Sequence, residues 1–257
     1  MRRGILISTG AALFGMVILS FCVSQNLLSK SSGYLQGVMS IERATSQNQN
    51  ICRQISKEFK RSSHITIEQD EESLTLSEVL PNNLTEYAKG LEMLDTFVDV
   101  KFPESEINVH STPNVMTSGG INFTQDSDRT IILELPDITK TVELTSYVLE
   151  NISACEFNSE DHGPTHLSIR FVGYPGGCFF SESINLSTTS EADVMDGKVT
   201  VRVAGGRMSV TNNFRENLNV SVVVRLNHTM SVSPMILNGY VQTEVLDAKK
   251  RGFIEVI

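Results

Sequence analysis

Nineteen consecutive uncharged residues, Ile5 to Val23, constrain this chain more than any other feature. They follow Arg2 and Arg3, and the next formal charge is Lys30. At ~1.5 Å rise per residue, a helix over this run spans ~28 Å, about one bilayer core. Basic residues flanking such a span stay on the cytoplasmic side. The run therefore predicts a single-pass membrane anchor over 1–26, with a cytoplasmic N-terminus and the rest of the chain extracytoplasmic at the cell surface. A cleaved signal peptide is the rival reading, since it also joins basic residues to an apolar stretch. The run is long for that role, and Phe21-Cys22-Val23-Ser24-Gln25 puts bulky residues where a peptidase needs small ones. Phe21 likewise makes Cys22 a poor lipoprotein site.

Directly after this run, Leu27, Ser31, Tyr34, Val38, Ile41, Thr45, Asn48, Cys52, Ile55 and Phe59 alternate in steps of four and three. That is a heptad seam free of proline, with Gly33 and Gly37 as its weak points. It predicts a helical stalk over 27–63, continuous with the preceding helix and ending near Arg61-Ser62-Ser63. Lys57, Lys60 and Arg61 then fall in the last turn, where cations suit the helix dipole. Two roles fit the stripe: packing on the chain's own globular part, or self-association with Leu27, Tyr34, Val38, Ile41, Cys52, Ile55 and Phe59 at the contact. Cys52 on the seam would bring two thiols together in the second case.

From His64 the period changes from 3.6 to 2. Ile65/Ile67, Leu74/Leu76, Ile131/Leu133/Leu135, Val142/Leu144, Leu167/Ile169/Phe171, Val199/Val201/Val203, Leu218 to Leu226 and Ile254/Val256 alternate as strands do. Turn residues separate them at Ser118-Gly119-Gly120, Asp161 to Pro164, Tyr174 to Gly177, Ala204-Gly205-Gly206, Asn212-Asn213 and Asn238-Gly239. A closing hairpin is expected to turn at Lys249-Lys250-Arg251-Gly252. One helix interrupts the pattern: Asn83-Leu84-Thr85-Glu86 resembles a capping box, with Leu84, Tyr87, Ala88, Leu91, Leu94 and Val98 on one face. The fold class expected is mainly β, with the N-terminal helices followed by an antiparallel β-sandwich-like head. Residues 64–125 form a small α+β segment in this reading and 126–257 the head.

The charge excludes one class of partner. Residues 1–63 carry eight basic and two acidic side chains, whereas 64–110 carry eleven acids against Lys89 and Lys101. With a net charge of −9 and no basic stripe, the chain is not expected to bind nucleic acid. Of four cysteines, Cys155 and Cys178 bracket a turn-rich stretch and are the best intramolecular disulfide pair. Closing that loop is worth about 3 kcal/mol on the chain-entropy model. Their spacing, with no second pair nearby, does not resemble a zinc site. Asn83, Asn122, Asn151, Asn185, Asn219 and Asn227 begin glycosylation sequons.

Chemistry-bearing residues are sparse. Asp161, His162 and His166 lie close together in the chain, and imidazoles with a carboxylate hold divalent metals and activate water. Gly163-Pro164 between the histidines forbids the helix that would align them, so a solvated loop is the simpler reading. No catalytic or phosphate-binding motif is present, and no cofactor is implied.

Met1-Arg2-Arg3-Gly4, a long apolar helix, a heptad-like segment and a β-rich head together resemble archaeal type IV pilin-like proteins. The resemblance rests on the first sixty or so residues. It implies processing between Gly4 and Ile5 and a helix that packs in a filament core or stays in the membrane. Thr9 stands where bacterial members of that class carry glutamate. The function expected is that of a membrane-anchored structural or interaction protein, pilin-like or adhesive. It would self-associate through the N-terminal helix while the head meets a surface protein or glycan. The alternatives are a membrane-tethered metal-dependent hydrolase and an envelope or receptor-like glycoprotein.

Overall fold

The computed structural model describes residues 2–117, 119–152, 154–229 and 235–256, with the backbone alone for 2–15. The heptad-spaced segment forms one continuous helix, α1 (Arg2–Ser63), with Lys60 and Arg61 in its last turn. The second helix, α2 (Leu84–Lys101), buries Tyr87 and Val98, and Leu91 and Leu94 pack against the core. Asn83 occupies the N-cap position without capping: its side chain donates to the Glu86 carboxylate instead of accepting a backbone N–H.

Strands dominate the described residues after α1, so the chain is mainly β. In chain order they are β1 (Thr66–Gln69), β2 (Ser73–Leu80), β3 (Ser105–Met116), β4 (Asn122–Ser127), β5 (Thr130–Glu134), β6 (Thr139–Tyr147), β7 (Cys155–Ser159) and β8 (Thr165–Val172). The rest are β9 (Gly177–Ile184), β10 (Ser190–Val194), β11 (Val199–Ala204), β12 (Arg207–Asn212), β13 (Leu218–Leu226), β14 (Met235–Val245) and β15 (Ala248–Val256). They form a six-stranded sheet, β1-β2-β13-β6-β8-β9, and a nine-stranded sheet, β15-β14-β3-β4-β5-β12-β11-β10-β7. The apolar positions of the alternating runs, such as Leu144, Ile169 and Val222 in the first sheet and Leu133, Val201 and Val210 in the second, share one hydrophobic core. Ile51, Ile55 and Phe59 of α1 belong to the same core. Residue 125 lies within β4, so strands from both sides of it share the nine-stranded sheet.

Several expectations need correction. Among the described residues no helix is long and apolar enough to cross a membrane. This overturns the single-pass anchor over 1–26 and the orientation assigned to the N-terminus and the head. After Val23 the helix turns polar, with Ser24-Gln25-Asn26 and then Lys30, so its described side chains hold no apolar stretch of spanning length.

The sheets are not wholly antiparallel either, because β6 and β8 pair in parallel from Thr141↔His166 to Tyr147↔Val172. The chain leaves β6, contributes β7 to the other sheet and returns, a crossover that parallel neighbours require. The closing hairpin turns at Leu246-Asp247, not at Lys249 to Gly252, for Val245 pairs with Ala248 and Lys249 with Glu244. The basic run is strand sequence on the sheet's outermost strand, where Lys is a common guard against edge pairing. Asn238-Gly239 is likewise no turn. It lies inside β14 at a register shift against β3, and Gly239 has φ 152° there. The Gly205-Gly206 turn does join β11 to β12, with φ of 58° and 73°, the positive pair that a tight hairpin needs.

Candidate functional site: an apolar helix seated on a β head

α1 is divided by what touches it. Ala44, Gln47, Asn48, Ile51, Cys52, Ile55, Ser56 and Phe59 are buried, recurring at the spacing of one helix face. Asn48 is the polar anchor of this seat. Its amide nitrogen donates to the carbonyl of Val241 at 2.7 Å, with Thr243 Oγ1 and the carbonyl of Lys250 each at 3.3 Å, tying the helix to β14 and β15. Its Oδ1 accepts from the Cys52 thiol at 3.7 Å. Close approach depends on Gly252 of β15, where a Cβ would lie 2.1 Å from Asn48 Oδ1 and 3.3 Å from Cys52 Sγ. Burial pushes the Cys52 thiol up to about 11, so it is a protonated packing group at neutral pH. Further along, Phe59 meets Tyr87 of α2 edge-on, with ring centroids 5.6 Å apart. The Tyr87 hydroxyl, raised to about 12 by burial, shares a hydrogen bond with Ser111 of β3.

Toward the N-terminus the same helix leaves the head. Met16, Val17, Ile18, Leu19, Phe21, Val23, Leu27, Leu28, Tyr34, Leu35, Met39 and Ile41 are all exposed, from 49% for Ile18 to 75% for Tyr34. The seam residues therefore separate. Cys52, Ile55 and Phe59 are buried in the chain's own core, Val38 is half-buried, and Leu27, Tyr34 and Ile41 face outward. Sequence reasoning missed Leu28, Leu35 and Met39, each one position beyond a seam residue; their adjacency to Leu27, Tyr34 and Val38 was the available signal. Where the helix meets the head, Met39, Arg43, Glu104, Val245 and Leu246 line a cleft of about 750 Å³. Arg43 pairs with Glu104 across it at 3.1 Å, both side chains well exposed.

Elsewhere on the head, Cys155 and Cys178 form the expected disulfide. Asp161, His162 and His166 are not gathered into a ligand set. Asp161 Oδ1 accepts the backbone N–H of His162, His162 Nδ1 lies 3.3 Å from the carbonyl of Ser183, and His166 Nε2 lies 3.3 Å from Ser181 Oγ. Among the described residues no group of three or more His, Cys, Asp or Glu is placed to hold a metal. Among the sequon asparagines, Asn151, Asn219 and Asn227 are exposed, while Asn83, Asn122 and Asn185 are half-buried. Asn122 already donates to Glu134 at 2.8 Å, and Asn185 Oδ1 accepts from Ser187. Gly4 and Ile5 lie outside the residues whose side chains are described.

No family model, curated protein or solved structure matches this chain.

Proposed function

We propose that this chain is a structural or interaction protein, pilin-like or adhesive, that self-associates by packing residues 16–41 of α1 against the same helix of neighbouring copies. The observation that carries this reading is the division of α1. One end is fastened by buried Asn48, Ile55 and Phe59, and the other holds a dozen large apolar side chains exposed to water. A helix that carries this much exposed apolar surface is covered in its working state. Covering a large aliphatic or aromatic side chain is worth about 1.5–3 kcal/mol. Burying half of the dozen therefore exceeds much of the ~4–15 kcal/mol cost of bringing two molecules together. The heptad spacing from Leu27 through Tyr34 to Ile41 offers parallel neighbours a regular seam. The two-sheet head is then a sandwich-like module displayed outward, the part that meets a surface protein or glycan.

Sedimentation of the full chain across a concentration series tests this. Concentration-dependent oligomers are expected, and the triple variant Leu27→Ser, Tyr34→Ser, Leu35→Ser should run as a monomer with unchanged circular dichroism of the head. A wild-type chain that stays monomeric at the highest attainable concentration would sink the proposal.

A further inference from the structure

The two outer edges of the nine-stranded sheet carry opposite charge. At one edge β15 presents Lys249-Lys250-Arg251, and Lys250 and Arg251 join Arg53 of α1 in lining a cleft of about 430 Å³. At the other edge β7 and its neighbour β10, with the residue after β7, present Glu156, Glu160, Glu191 and Asp193 around a cleft of about 360 Å³. Lys249 is paired with Glu244, and the Arg251 guanidinium lies over the Tyr240 ring. Among the described residues, Arg53, Lys250, Arg251 and the four carboxylates form no ion pair. Glu160 and Asp193 accept the backbone N–H groups of Thr189 and Gly197, and Arg202 stands across the ladder from Glu191. Asp193 stands directly across from Glu156, and like charges in that position repel. Large apolar side chains flank both edges: Phe253 on β15 and Phe179 on β9, the strand tied to β7 by the disulfide, are 63% and 61% exposed.

An edge strand leaves a row of backbone N–H and C=O groups without strand partners, a template for another chain. Charge decides which chain. A second β15 would set lysine and arginine against their like, and a second β7 would do the same with glutamate. Each edge therefore rejects itself and accepts the other. A contact between two different surfaces is heterologous and repeats from copy to copy, as a ring or an open filament. We propose that β15 of one copy lies along β7 of a second copy, with Lys250 and Arg251 against Glu156 and Glu191. This contact rests on the self-association read from α1. A few exposed charge pairs hold little by themselves, but they act between heads that the helices have already brought together.

The test is sedimentation of the full chain beside two charge-reversed variants. Lys250→Glu with Arg251→Glu, and separately Glu156→Lys with Glu191→Lys, should each weaken association about tenfold and leave the unfolding midpoint unchanged. An equimolar mixture of the two should recover wild-type association, because every junction between them again joins opposite charges. Raising sodium chloride from about 0.05 M to about 0.5 M should weaken wild-type association, and this arm decides if a variant does not fold. A mixture no stronger than its components, or a wild type indifferent to salt, would overturn this contact and leave the helix reading standing. A wild-type chain that stays monomeric throughout would overturn both.

Discussion

Cys155 and Cys178 join the last strands of two different sheets: Cys155 opens β7, the edge of the nine-stranded sheet, and Cys178 lies on β9, the edge of the six-stranded sheet. The bond therefore fastens one side of the head across the gap between sheets, beside Phe157 and Phe180, whose rings stack 5.3 Å apart. With the cysteines at a sequence separation of 23, its loss should cost about 3 kcal/mol. Cys155→Ser with Cys178→Ser, compared with wild type in urea unfolding, checks this. A loss below about 1 kcal/mol would mean that sheet packing alone closes this edge.

Gly252 is required where α1 lies on β15. Gly252→Ala sets a methyl against Asn48 Oδ1 and the Cys52 thiol, an overpacking that costs about 1–3 kcal/mol. Asn48→Ala removes the anchor and orphans acceptors on β14 and β15, costing on the order of 2 kcal/mol. Because both residues act at one contact, the double variant should lose less than the sum of the two. Strict additivity in denaturant unfolding would show that they do not interact.

The two ends of α1 should respond oppositely to truncation. Phe59→Ala, in the core against Tyr87, is expected to lower stability by about 3–5 kcal/mol. Tyr34→Ala, at 75% exposure, should leave the unfolding midpoint of the monomer within about 0.5 kcal/mol of wild type while weakening self-association. Paired unfolding and sedimentation measurements decide. A stability loss at Tyr34 matching that at Phe59 would refute the division of the helix.

Glu78 makes stability depend on pH. Burial pushes its carboxyl up to about 7 against an ordinary value of 4.5, opposed only partly by the amides of Gln125 and Asn82. Between those values the folded chain holds a proton that the unfolded chain has released, so stability falls as pH rises and levels off above about 7. The full loss is on the order of 3 kcal/mol. Glu78→Gln should flatten this part of the profile and be the more stable protein at pH 8. Unfolding across pH 5–8 would refute this if the two proteins kept parallel profiles.

Much of the fold was legible because it is written in local spacing. The end of α1 at Ser63, the alternating strands, α2, the Gly205-Gly206 hairpin and the Cys155–Cys178 pair each follow from neighbouring residues or a short loop. Glu78 also left a mark, a charge on the apolar side of an alternation, which reading by hydrophobic runs passes over. The helix in the candidate site was half legible. Its stripe was plain from Leu27 to Phe59, but what covers each part was not.

The sequence by itself determined which faces are apolar and where the period changes, since side-chain direction along a helix or strand depends only on spacing. Tertiary structure decided which apolar faces found partners. It buried Asn48, Cys52 and Phe59 and left Leu27 and Tyr34 exposed, paired β6 with β8 in parallel, and moved the last turn to Leu246-Asp247. It also surrounded Glu78 with two amides from distant positions. Those outcomes depend on contacts between segments far apart in the chain, where packing and the satisfaction of buried polar groups outweigh local preference.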